Sequence, residues 1–467
     1  MFETIIDAIN TFLYSKLLIV ILIGAGIYFT IRTRVPQVRL FKNACKSVME
    51  KPEGEESVSS FQALMVSTAS RVGTGNIVGV SSAICIGGVG SVFWMWVIAI
   101  IGSASALAES TLAQIYKKKG EDGECYGGPA YYIEAALHSR GLAIAFCIAM
   151  ILTYAFGFNM LASYNLQSTF AGMSFYNAEV TPWIIGGVLA LVTGWCLLGG
   201  GHRIVKVTST LVPFMGVVYI LVSLLIVILN IGQLPAVFAQ IFEEAFNFKA
   251  IFSGFAGSAM MQGIRRGLYS NEAGIGSAPN AAASAVVSHP VKQGLVQMLS
   301  VFIDTLLLCT ATAMMCLASG VAPTKELQGA PWVQAALHKT MGSFGPYFIM
   351  IAMVLFAFTT LLGNCFYCDN LLTYIHKKQP GKKFMTGFRM VSALVIFLGA
   401  GMEMTLLWHI ADVLMGVMAL INIPVILILS NTVLKALKDY ETQVKEKKNP
   451  VFYSRNINLK QKTDYWN

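Results

Sequence analysis

The sequence predicts an all-α polytopic membrane protein of eleven transmembrane helices: one extra N-terminal span plus a 5+5 inverted-repeat core with two broken helices. Three observations predict it. The 467 residues are 55% hydrophobic and only 12% charged, with a mean hydropathy of +0.64, whereas soluble domains carry roughly 25% charged residues. Apolar windows long enough to span, about 20 residues, recur near residues 24, 74, 103, 156, 191, 218, 267, 307, 360, 394 and 421. Two of these windows are interrupted by glycine-rich polar text, Arg71-Val72-Gly73-Thr74-Gly75-Asn76 and Glu272-Ala273-Gly274-Ile275-Gly276-Ser277.

The first window, residues 17–31, has neither a basic leader nor a small-residue cleavage site, so it reads as a span rather than a signal peptide. The basic residues then orient the chain. The loops around residues 32–51, 117–140, 203–206 and 292, those around 377–389, and the tail from 435 hold 26 of the 33 Lys and Arg residues. Lys16, Lys249, Lys325 and Lys339 fall on the other side. Positive charge stays inside, so the N-terminus is expected outside and the C-terminus in the cytoplasm of a cell-membrane protein. The same distribution assigns the net charge of +9 to topology rather than to nucleic acid or anionic lipid.

With the first span set aside, ten spans divide five and five, and a break falls in the first span of each half. Five spans per half give the halves opposite topology, hence an inverted repeat. The divisions are residues 1–55 (extra span and basic loop), 56–232 and 233–436 (the two repeats), and 437–467 (a basic cytoplasmic tail). Spans seven and nine, about 250–284 and 345–375, are unusually long, which suggests interruption or tilt.

Glycine gives up the most backbone entropy in a helix, and loosened backbone at membrane depth is tolerated only inside protein or beside a cavity. If the first helix opens at Gly73–Gly75, the amides of Thr74, Gly75 and Asn76 begin a half-helix and suit a carboxylate. Carbonyls around Ala69 and Val72 point the other way and suit a small cation. The bland alternative is a close helix contact of small residues.

In the second break, Ser270, Asn271, Gly274 and Ser277 offer groups for a zwitterion. Glu272 either receives a substrate ammonium or neutralises Arg71 or Arg266. Arg265 and Arg266 read as gating or structural pairs. Thr359-Thr360 place two hard hydroxyl ligands on one long span, although such hydroxyls commonly return to their own helix. Asp304 fits a structural hydrogen bond, a proton relay or a ligand contact equally well. Glu109 and Asp412 are expected near helix ends or in pairs, and Trp94, Trp96 and Trp408 as interfacial anchors. The nine cysteines show no paired spacing and no metal framework. No HExxH, G-x-S-x-G or P-loop occurs, which disfavours an enzyme.

Together these motifs resemble the alanine/glycine:cation symporter family. The matching text is Ser60-Phe61-Gln62-Ala63-Leu64, residues 71–77, 87–96 and Gly127-Gly128-Pro129-Ala130-Tyr131-Tyr132-Ile133. It continues through residues 266–280, His289-Pro290-Val291-Lys292-Gln293-Gly294, Phe302-Ile303-Asp304-Thr305, Gly363-Asn364 and 408–422. The resemblance implies a leucine-transporter-type fold and sodium-driven uptake of small neutral amino acids, with Na+ as coupling ion and no other cofactor. It implies a sodium site from the carbonyls of Ala69, Val72 and Phe356 with Thr359 and Thr360. The substrate carboxylate would meet Thr74 and Gly75, and its amino group the opened second helix, with Asn76, Ser163 and Asn364 among the lining residues.

One departure is plain. Members often read Gly-Asn-Met-Val-Gln-Ala-Asn where this chain has Asn159-Met160-Leu161-Ala162-Ser163-Tyr164-Asn165, so Ala162 or Ser163 replaces the usual Gln. Glutamine or serine therefore rivals alanine and glycine as substrate. Proton coupling through Asp304 or Glu272, and a sensor without net transport, are the competing functions.

Overall fold

The computed structural model describes residues 2–50, 58–120, 123–247 and 258–466. Residues 2–32 form α1, continuous through a wider turn at Leu13–Leu18. The first part of the chain then holds α2 (Phe41–Val48), α3 (Ser60–Arg71), α4 (Gly75–Gly87) and α5 (Ser91–Ile115). It continues with α6 (Pro129–Leu137), α7 (Arg140–Ser168), α8 (Thr181–Leu197) and α9 (Gly200–Leu229). The second part holds α10 (Leu234–Ala245), α11 (Ala259–Asn271), α12 (Ala278–Ser284), α13 (Pro290–Ala318) and α14 (Ala330–Met341). It ends with α15 (Phe344–His376), α16 (Lys382–Ala400), α17 (Met404–Ile428) and α18 (Ser430–Lys445). A two-stranded hairpin pairs Lys118 with Tyr126 and Lys119 with Cys125.

Seven helices among the described residues, α5, α7, α9, α13, α15, α16 and α17, are long and apolar enough to cross a membrane. Shorter apolar helices stand at Ile19–Arg32, Gly75–Gly87 and Thr181–Leu197. The two interrupted segments are broken where the glycines stand: helix stops at Arg71 and again at Asn271. The long segment at 345–375 is one unbroken helix of 33 residues. The start of the other long segment, residues 250–257, lies outside the described residues, as do Lys51 and Lys249.

Local chemistry explains the helix starts. Ser59 and Gln62 form a capping box on α3, exchanging bonds of 3.1 and 2.9 Å. Prolines sit in the first turn of α6, α8, α10, α12, α13 and α14, where a missing N–H costs nothing. Small residues then let helices touch. A Cβ on Gly263 of α11 would stand 2.4 Å from the Ser91 carbonyl oxygen, and one on Gly294 of α13 2.2 Å from Thr111 Oγ1. In lipid, where water exclusion contributes nothing between helices, such close contact is what holds a bundle together. On the outside, α9 exposes Phe214, Val217, Leu221, Leu224 and Ile228, an apolar face suited to acyl chains.

The basic tail packs back against the helices. Phe452, Ile457 and Trp466 are buried. The Phe452 amide donates to the Ser288 carbonyl at 2.9 Å, and Trp466 Nε1 to the Gln114 carbonyl at 2.8 Å. Lys117 lies under the rings of Tyr465 and Trp466, 4.6 and 5.3 Å from their centroids.

Candidate functional site

The first break is a single unwound turn between α3 and α4. Val72 takes a non-helical conformation with ψ 89°. The Gly73 amide, which in a continuous helix donates to the Ala69 carbonyl, donates instead to Asn76 Oδ1 at 2.8 Å. The Ala69 carbonyl is thereby released from the helical ladder. Asn76 Nδ2 donates to Asp304 Oδ1 at 2.8 Å and to Ser270 Oγ at 3.2 Å, and Ser270 Oγ donates to Asp304 Oδ2 at 2.8 Å. Thr74 Oγ1 accepts from Asn165 Nδ2 at 3.0 Å. Gly75 lies beneath Tyr269, whose ring carbons would stand 2.7 Å from a Cβ there. Tyr269 packs edge-on against Phe158 and Trp408, both at 4.8 Å, so an aromatic wall covers the break.

The second break, Glu272 to Ser277, turns through left-handed backbone at Glu272, Gly274 and Gly276, with φ of 53°, 83° and 90°. Two of these positions are glycine because only glycine enters that region without strain. The amides of Gly274 and Gly276 donate to the two oxygens of Glu109 at 3.2 and 3.1 Å. Asn422 Nδ2 joins Glu109 Oε2 at 2.8 Å and the Gly274 carbonyl at 2.9 Å, while Tyr132 donates to Asn422 Oδ1 at 2.5 Å. Asn271 Oδ1 accepts from the Ala273 amide at 3.0 Å, and its Nδ2 has no partner among the described residues.

A polar chain joins the two breaks. Ser277 Oγ donates to Glu272 Oε2 at 2.7 Å. The Ser70 hydroxyl lies 3.0 Å from Glu272 Oε1 and 2.8 Å from Asn364 Oδ1, donating to one at a time. Asn364 Nδ2 then donates to Asn159 Oδ1 at 2.9 Å. Of the residues singled out in sequence, Asn76, Ser270 and Asp304 thus share one network and Glu272, Ser277 and Asn364 another. Ser163 is on neither: its hydroxyl is buried without a partner among the described residues.

Three expectations are corrected. Glu272 forms no ion pair among the described residues. Arg266 pairs instead with Asp412, both contacts 3.2 Å, and lies over Trp408 at 3.8 Å. Among the described residues Arg71 reaches only Gln297, at 3.3 Å to Oε1 and 3.5 Å to the carbonyl, and its Nε and Nη2 have no partner there. Trp408 is no interfacial anchor but a buried wall of the break, 5% exposed. Glu109 lies in the middle of α5, where it holds the second break rather than closing a helix end. The sequence signal for Glu109 was there, since a carboxylate inside an apolar span is a functional candidate by default. Its partner Asn422, and Tyr132 bonded to Asn422 in turn, come from distant helices and carried no such signal.

The two candidate hydroxyls differ. Thr359 Oγ1 donates to its own helix, to Leu355 O at 3.0 Å and Phe356 O at 3.2 Å. Thr360 Oγ1 sits against the unwound turn, 1.9 Å from where a Cβ on Gly73 would be, and has no partner among the described residues. A buried hydroxyl left unpaired is costly. Beyond the polar core, a cavity of about 1160 Å³ runs from the Gln62 end of α3 past Asn280 and Asn370 to Lys382 and Arg389. At its inner end Asn370 Nδ2 donates to Asn280 Oδ1 at 2.8 Å and to the Gly127 carbonyl at 2.5 Å.

The sodium:alanine symporter family profile matches residues 1–454. The chain belongs to this family. It is 44% identical over 455 residues to a probable sodium/glutamine symporter, GlnT, of Bacillus subtilis, covering 97% of this chain and 93% of that one. It is 41% identical over 475 residues to a putative sodium/proton-dependent alanine carrier, YrbD, of the same organism, covering 99% and 97%. Among solved structures it resembles that of MhsT in complex with L-phenylalanine, with a TM-score of 0.61 at 14% identity over 83% of this chain and 93% of that one. That likeness speaks for a leucine-transporter-type fold. The sodium:alanine symporter family is one of membrane transporters, so this chain is an amino-acid symporter and not an enzyme.

Proposed function

We propose that this symporter imports small neutral amino acids with sodium by alternating access around the two breaks. Alanine and glycine are the expected substrates, with glutamine and serine as rivals. The observation that carries the sodium reading is Thr360 Oγ1, a buried hydroxyl without a partner held against the one turn where α3 is unwound. The Ala69 carbonyl, freed because Gly73 bonds Asn76, belongs to the same turn. The carbonyls of Val72 and Phe356 and the Thr359 hydroxyl complete an all-oxygen set suited to a hard monovalent cation.

The substrate carboxylate is assigned to the Thr74 and Gly75 amides, which open α4 where N–H groups lack intrahelical acceptors. Asn76, Ser163, Asn364 and the second break (Ser270, Asn271, Gly274, Ser277) form the rest of the pocket. Sodium and amino acid then share one loosened turn. Each stabilises the geometry the other needs, which is a reciprocal coupling. The reading includes eleven spans, halves at 56–232 and 233–436 related by inversion, an outside N-terminus and a cytoplasmic C-terminus.

Uptake by proteoliposomes tests it. An inward sodium gradient should drive accumulation of alanine or a rival neutral amino acid, and equal uptake in sodium and choline buffers at matched pH would sink sodium coupling. A second reading, proton coupling, draws on Asp304 and Glu272, which receive only neutral donors from their neighbours. The printed name of the 41% identical relative includes proton dependence as well. That reading predicts uptake driven by a pH gradient that survives Thr359→Ala.

A further inference from the structure

A second cavity, of about 580 Å³, lies beside the large one, and six of its sixteen lining residues are Lys or Arg. Its lining brings together Lys118 and Lys119 of the hairpin, Arg140 at the start of α7, Lys377 and Lys378 after α15, and Lys462 of the tail. Among the described residues the only carboxylate in the lining is Glu134, which is already engaged by Arg140 at 3.4 Å and by the Tyr374 hydroxyl. Lys118 is paired with Asp464 at 2.9 Å. Lys119, Lys377, Lys378 and Lys462 form no ion pair among the described residues.

A positive-inside bias accounts for lysines in cytoplasmic loops. It does not account for four that form no ion pair among the described residues, from segments far apart in sequence, meeting at one concavity. Like charges gathered on an exposed concavity raise its positive potential, which favours an anion there. We propose that this cavity is a binding site for a phosphate-bearing anion. Several lysines acting as point charges suit the dispersed charge of phosphate oxygens, and the volume is that of a small-molecule site rather than of one carboxylate. The Tyr131 and Tyr374 rings, 4.9 Å apart and edge-on, supply an apolar wall.

The position gives such an anion a consequence. Tyr126, Thr373 and Gln379 line both cavities, so the two share a wall. An anion there also ties the tail to the end of α15. Both a free phosphate compound and a phospholipid headgroup carry this chemistry.

Calorimetry on the full-length protein in phosphatidylcholine nanodiscs, titrated with inorganic tripolyphosphate, reads the first source. Native mass spectrometry of protein from phosphatidylglycerol nanodiscs reads the second. Lys377→Gln/Lys378→Gln is compared with Lys206→Gln/Lys382→Gln, which removes equal charge from the larger cavity. Saturable tripolyphosphate binding that is about tenfold weaker in the first variant, unchanged in the second and weakened by salt identifies a soluble anion. Retained phosphatidylglycerol lost only in the first variant, without tripolyphosphate binding, identifies a headgroup. Absence of both, or equal loss in the two variants, overturns the site.

Discussion

Thr359 and Thr360 are neighbours in sequence but not in circumstance. Both were legible as hydroxyl ligands on an apolar span. Which one is free was not, because that depends on Gly73 approaching from another helix. Replacing Thr360 with valine keeps the shape and removes the unpaired oxygen. Thr360→Val should raise the sodium concentration for half-maximal uptake by about tenfold or more, the worth of one or more hydrogen-bond-sized contacts. Thr359→Val should shift it less, since that hydroxyl already bonds Leu355 and Phe356. Sodium titrations of transport decide it, and equal shifts would remove the distinction. Glu272 teaches the same lesson. Its charge was legible, but its partners, Ser70 and Ser277, and the pairing of Arg266 with Asp412 were settled by which helices meet.

At the level of elements, the two breaks were the most legible features, because glycine and asparagine in an apolar run have few other uses. What holds them open was not legible: Glu109 reaches the second break from the middle of α5, and Asn76 folds back on the first. The tail was read only as a basic stretch, and its aromatic residues dock on α5 and beside the start of α13. There His289 Nδ1 accepts from the Val291 amide at 3.2 Å, so Nε2 keeps its proton and donates to Asp439 Oδ2 at 3.2 Å. The ring packs on Phe452 of the tail at 5.1 Å and on Tyr440 at 5.2 Å, with Lys292 nearby.

Burial holds the His289 pKa below its ordinary 6.5, outweighing Asp439. The undocked form therefore binds more protons in that window. The stability of docking is present at neutral pH and above and is lost as pH falls below 6.5. Limited proteolysis of the tail should accelerate between about pH 7.5 and about pH 5.5 in the parent but not in His289→Gln. The same pH response in both proteins would show that another group controls docking.

Across the whole molecule, the larger cavity is lined by Lys206, Lys382 and Arg389, residues that the charge distribution assigns to the cytoplasmic side. A membrane-impermeant maleimide should label Lys382→Cys in inside-out vesicles and not in right-side-out ones, relative to the parent protein. The reverse pattern would invert the orientation. By itself the sequence determined the membrane class, the family and the position of both breaks. Each of these is written in local text: hydropathy over about 20 residues, loop charge, and glycine in the wrong place. Only the tertiary structure decided which hydroxyl is left unpaired, which carboxylate supports which turn, and where four lysines converge. Those depend on contacts between helices hundreds of residues apart, and in a bundle held by close packing of small side chains no local pattern encodes them.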